Sequence, residues 1–252
     1  MKALIVSFLL AFILLTGTAF TYLTWKEADK GFALVELFTS EGCSSCPPAD
    51  ALVAKISKET LNRPVYILSF HVDYWNRLGW KDVYSKAEFS ARQKRYTDWM
   101  HLSGAYTPQI VVNGKTEMVG SNENALRRAV TAGLKNTSAA ILTFKEASLS
   151  QQKLQLQYQV LNAADNYTLN IAFVQKQAQT QVKAGENAGK TLPHINIVRE
   201  LKTIPLNGHQ LGTAAITPPE NFNLKDGQVI SFIQNSSTGE IMTAKEVQLS
   251  AI

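Results

Sequence analysis

Two cysteines, Cys43 and Cys46, are the only thiols in a chain of 252 residues, and they stand as Gly42-Cys43-Ser44-Ser45-Cys46-Pro47. That spacing puts two sulfurs on one turn, close enough to close a small disulfide ring or to chelate a soft metal together. A four-thiolate zinc site within one chain is excluded, because it needs a second pair. Three readings follow: a redox-active pair, a metal chelate, and a short structural disulfide. The last would constrain little of the unfolded chain, since loop-closure stabilisation grows with loop length.

The elements around the pair read as a strand, a thiol loop and a helix. Phe32–Phe38 is an apolar run with the length of a buried strand, and Ala49, Leu52, Val53 and Ile56 recur at helical spacing. Pro47 disfavours a helical conformation at Cys46, so the regular helix is expected to begin at Pro47, where the missing amides cost nothing. Val65–Val72 is a second buried-strand pattern reached through that helix, and is therefore expected to run parallel to the first. It delivers His71 and Asp73 to the sheet edge that carries the thiols, followed by an aromatic-rich loop with Trp75 and Trp80. Ser85 and Glu88 fit a capping box before a stripe of Phe89, Tyr96, Trp99 and Met100. Asn113-Gly114 between two strand patterns predicts a hairpin, and Ser121 is placed to cap a last helix carrying Ala125, Leu126, Ala129 and Val130.

The order βαβ-α-ββ-α, with a C-x-x-C loop after the first strand, resembles the thioredoxin fold. The segment Thr107-Pro108-Gln-Ile-Val-Val-Asn-Gly is similar to the cis-proline strand and hairpin of glutaredoxins. More closely, the chain resembles the secreted bacterial thioredoxin-like proteins of the domain of unknown function 1223 family. The segments that carry this are Val35–Asp50, Ser69–Trp80, Tyr106–Gly114 and Gly185–Gly189. The resemblance implies an α/β thioredoxin-like domain and export, and leaves activity unassigned. In a thioredoxin-like site Cys43 is the nucleophile and Cys46 the resolving thiol. Pro108, in cis, and Thr107 before it would shape the substrate groove. Glu36 stands roughly where thioredoxins keep a buried acid that accepts a proton from the resolving thiol. An added residue between Glu36 and Cys43 could turn that carboxylate to another face, because strand side chains alternate.

The same residues support rival roles. His71 with two thiolates could bind copper or zinc, which makes a copper-handling protein using Cys43, Cys46 and His71 the binding-class alternative; the redox reading itself implies no cofactor. Trp75 and Trp80 either line a peptide-binding surface or pin their loop to the domain. A redox-inert envelope adaptor is a third reading. The partners expected for the redox reading are protein or small-molecule thiols and disulfides.

Beyond Ser138 the pattern changes to alternating segments, among them Ile141–Phe144, Leu154–Val160, Tyr167–Val174, Ile195–Leu201, Val229–Ile233 and Ile241–Val247. These predict a mostly-β, sandwich-like domain. The expected division is therefore residues 1–25 as leader or anchor, 31–136 as the thioredoxin-like domain and 138–252 as the β domain. Within the second, the loop Gly185–Gly189, followed by His194, is expected to fold back toward Cys43. Lys2 precedes an uncharged run from Ala3 to Trp25, a signal peptide or a membrane tether, and either places the protein in the periplasm or cell envelope. The net charge of +5 is spread over helical faces, which argues against nucleic-acid binding.

Overall fold

The computed structural model describes residues 31–150, 152–220, 222–223 and 225–248. The expected leader or anchor lies outside the described residues. Among those residues no helix is long and apolar enough to cross a membrane.

β1 (Ala33–Thr39) is buried along its whole length and ends in the thiol loop, after which α1 spans Pro47–Glu59. The helix begins where the prolines predict, but Cys46 itself takes right-handed helical angles (φ −77°, ψ −38°), and its carbonyl accepts the amides of Ala49 and Asp50. β2 (Val65–His71) pairs in parallel with β1, setting Thr39 opposite His71. α2 (Ala87–Trp99) starts after Lys86 without a side-chain cap; the capping box does not form because the Ser85 hydroxyl donates to the Asp82 carbonyl instead. β3 (Gln109–Val112) and β4 (Thr116–Val119) form the predicted hairpin. Asn113 and Gly114 have φ of 51° and 65°, the left-handed pair that a two-residue turn requires. α3 (Glu123–Lys135) is capped by Asn122, one residue later than expected, through the Ala125 amide.

Among the described residues the elements of the C-terminal half are all strands: β5 (Ile141–Ser150), β6 (Lys153–Leu161), β7 (Tyr167–Gln181), β8 (Thr191–Pro205), β9 (Leu211–Ile216), β10 (Gly227–Asn235) and β11 (Ile241–Glu246). Strands of both halves share one eight-stranded sheet in the order β11-β10-β7-β8-β2-β1-β3-β4, while β5-β6-β9 form a separate three-stranded sheet. The join is β8 beside β2, at Ser69 and Ile197, with the Ser69 hydroxyl on the Ile195 carbonyl.

The packing follows strand alternation. Leu169, Ile171 and Phe173 of β7 face the small sheet, while Ala172 and Val174 share a core with Phe38, Phe70, Phe89 and Tyr96. On β1 the same rule sends Val35 and Leu37 toward α1, and Leu34 and Phe38 toward α2. Glu36 lies on the α2 face with the latter pair.

Candidate functional site

Cys43 and Cys46 are joined in a disulfide at the C-terminal end of β1, with Cα atoms 5.4 Å apart. The turn is set by successive backbone bonds, the Cys43 amide to the Ser40 carbonyl and the Cys46 amide to the Cys43 carbonyl. Both sulfur-bearing residues are 0% exposed, whereas Ser44 and Ser45 between them are exposed. Position along the turn predicts Cys43 to be the more accessible thiol. The structure corrects that: the two are equally buried, and a strap from the C-terminal half is bonded to the backbone on either side of Cys43.

The strap is the turn Gly185–Gly189, bounded by left-handed glycines at φ 76° and 81°. The buried Asn187 amide donates to the carbonyls of Glu41 and Cys43, each at 2.9 Å. Glu186 accepts the Ser44 amide at 2.9 Å, and hydrogen bonding to the Ser44 side chain, with that amide, holds its carboxyl below the usual range. The strap thus substitutes for water on the backbone of the thiol loop. It folds back on Cys43 as its sequence predicts.

The residues singled out in the sequence fall into two groups. The Thr107–Pro108 peptide is cis, and Pro108 sits with Ala49 against Gly120, one turn along α1 from Cys46. The Trp75 indole donates to the Thr107 hydroxyl at 2.8 Å, and the Cβ of Trp75 lies against Gly42. The Trp80 indole donates to Glu41 at 2.7 Å. The two indole N–H groups thus tie the aromatic loop to the segment before Pro108 through Trp75 and to the thiol turn through Trp80. His71 is fully buried, its Nδ1 bonded to Asp82 at 2.7 Å. Burial raises the Asp82 carboxyl, but the charge and hydrogen bond of His71 outweigh it and leave the carboxyl lowered.

Glu36 is apart from this group. Its two oxygens take Arg92 Nε and Nη2 at 2.6 and 2.9 Å, and the Tyr96 hydroxyl at 2.5 Å. Arg92 also donates to Gln234, and its plane rests against Phe70 and Phe232. Burial opposes the charge on Arg92, yet Glu36 beside it raises the guanidinium further above its usual value.

The acidic side chains around the thiol turn that sequence reading gave no role are Glu41, Asp50 and Asp82. Glu41 is 0% exposed, and its free oxygen faces His194 Nε2 at 3.4 Å. On the other side of the same ring, His194 Nδ1 lies 3.9 Å from Asp50, which also accepts from Thr39. His194 reaches this place because Leu192–Ile195 lies along α1, walling a small cavity with Pro47, Asp50, Ala51 and Ala54. Its ring meets His71 edge to face, with centroids 4.9 Å apart. Burial would lower its pKa, but Asp50 and Glu41 prevail and push it up to about 9. A single acid wedged between a strand end and the thiol turn was the available signal for Glu41; the grouping with His194 depends on tertiary structure. Among the described residues no set of three His, Cys, Asp or Glu side chains is placed to hold a metal ion.

A family model described as a protein of unknown function (DUF1223) matches residues 34–234. Among solved structures, the chain is similar to a protein of Agrobacterium tumefaciens at 26% identity and a TM-score of 0.66, over 90% of this chain and 100% of that one. It is also similar to HBP35 of Porphyromonas gingivalis at 16% identity and a TM-score of 0.58, covering 89% and 77% respectively, a likeness of fold alone. No curated protein matches the sequence.

Proposed function

The chain belongs to the DUF1223 family, and from that premise we propose that it is a thioredoxin-like thiol–disulfide oxidoreductase acting through Cys43 and Cys46. The observation that carries the proposal is the disulfide itself, set where β1 gives way to α1 with Cys46 at the helix N-terminus. Amides at that position favour a thiolate, which is both the attacking and the leaving form in disulfide exchange. The cis Pro108 beside the first turn of α1 supports the same reading. The uncharged run of residues 3–25 supports an exported site of action, where disulfides persist.

In the proposed cycle Cys43 exchanges with the partner and Cys46 resolves the mixed disulfide. Proximity makes the second step intramolecular. Cys46→Ala is expected to accumulate partners linked through Cys43, visible as adducts that a reductant removes, and Cys43→Ala is expected to accumulate none. Equal yields from both variants would contradict the assignment of roles. If neither variant forms an adduct and reduced wild type binds Cu(I) tightly through both cysteines, soft-metal coordination replaces exchange.

A further inference from the structure

Cys43 and Cys46 are both buried, so a thiolate formed on reduction has little water around it, and burial without a donor disfavours the charged form. Direct donors on the turn are few. α1 favours negative charge at its N-terminus through its dipole, but its first two residues, Pro47 and Pro48, have no N–H. The next two amides, of Ala49 and Asp50, turn to the Cys46 carbonyl. Within the turn the Ser44 amide is held by Glu186, the Cys43 amide by the Ser40 carbonyl and the Cys46 amide by the Cys43 carbonyl.

One side chain does touch a sulfur. Ser45 Oγ lies 3.4 Å from Cys43 Sγ, and among the described residues this is the one side-chain hydrogen bond made to either sulfur. A disulfide sulfur carries no hydrogen, so the hydroxyl is the donor. The charged groups around the turn are engaged elsewhere: Glu186 with Ser44, Lys190 with Asn187, and Asp82 with His71 and the Glu41 amide. Glu41 accepts from Trp80 and Asp50 from Thr39, and His194 faces both carboxyls. Ser45 itself is exposed, so removing its hydroxyl leaves the core untouched.

We propose that the Ser45 hydroxyl is a catalytic donor, which holds Cys43 as a thiolate and so favours both its attack on a partner and its departure from one. This rests on the redox reading of the pair. A hydrogen bond to an ionised acceptor is stronger than one to a neutral sulfur, so the contact strengthens once the disulfide is opened. The Cys43 thiolate forms a bond to one sulfur of a partner disulfide, the partner's S–S bond breaks, and its electron pair leaves on the other sulfur, which takes a proton from solvent. Cys46, having lost its proton to solvent, then attacks Cys43 Sγ; the bond from Cys43 to the partner breaks, and the partner's first sulfur leaves as a thiolate. The partner gains two electrons and the protein loses two. Ser45 keeps its proton throughout.

The test uses the Cys46→Ala protein, in which Cys43 is the remaining thiol, titrated by thiolate ultraviolet absorbance. Adding Ser45→Ala is expected to raise the Cys43 midpoint by about one pH unit, an about tenfold loss of thiolate below both midpoints. Ser45→Thr keeps the hydroxyl and is expected to leave the midpoint in place. Superimposed curves for Ser45→Ala overturn the proposal, and so does an equal rise in Ser45→Thr. If Cys46→Ala does not fold, the two-cysteine protein decides through its rate of exchange with a model disulfide. There Ser45→Ala is expected to be about threefold slower than wild type below both midpoints and faster above them, since a more basic thiolate is scarcer but more nucleophilic. A uniform change across pH, or none, overturns the proposal. Exchange with unshifted titrations removes the role of Ser45 alone. Shifted titrations without any exchange overturn the redox reading and, with it, the catalytic use of this hydroxyl.

Discussion

Glu36 and Glu41 come from the same short stretch and are equally buried, yet their surroundings are opposite. Glu36 has three donors on its two oxygens and stacked aromatic rings around its partner. Glu41 has one indole donor, and its other oxygen has no hydrogen bond and lies 3.4 Å from His194 Nε2. In the first arrangement both oxygens are held by hydrogen bonds from the ion pair and the Tyr96 hydroxyl. The second leaves one carboxylate oxygen without a hydrogen bond. Satisfied burial marks architecture, and incompletely satisfied burial is where a site is to be sought.

The comparison can be broken most forcefully at Arg92. Arg92→Ala leaves Glu36 buried and uncompensated between both halves of the chain, and is expected to destabilise the fold by about 3–5 kcal/mol. Urea unfolding checks this. A loss below about 1 kcal/mol would mean that Glu36 is as free as Glu41 and that the contrast between them is mistaken.

A smaller effect is expected at the strap, which belongs to the Glu41 side alone. Asn187→Ala removes two hydrogen bonds that hold Gly185–Gly189 over Cys43. At about 1 kcal/mol per bond, the open form should rise about tenfold or more, with global stability nearly unchanged. The rate at which a small phosphine reduces the disulfide reads this opening directly. An unchanged rate would show that the sulfurs are reached by another route.

Much of the frame was legible in the sequence because it is local. Pro47 marks the start of α1, Asn113-Gly114 makes the hairpin, and two apolar runs joined through a helix pair in parallel as β1 and β2. β9 was not read, because Leu211-Gly-Thr-Ala-Ala-Ile216 is poor in the β-branched and aromatic residues that signal a strand; it forms by pairing with β6. The Glu36 reading depended on a partner, Arg92, that lies 56 residues away, and on which face of β1 the carboxylate takes. His194 was linked to the thiols only through the matching loop before it. What brings it between Glu41 and Asp50 is the path of β8 along α1, a tertiary contact with no local signal.

The central claim is that Cys43 and Cys46 are a working redox couple rather than a staple. It is tested by equilibrating the protein in glutathione buffers of graded potential, quenching with an alkylating reagent and reading the mass. The account predicts a reversible transition in which both cysteines gain or lose the label together, with the same midpoint approached from the oxidised and the reduced side. A disulfide that stays closed across the whole series, or opens once and does not re-form, would contradict it.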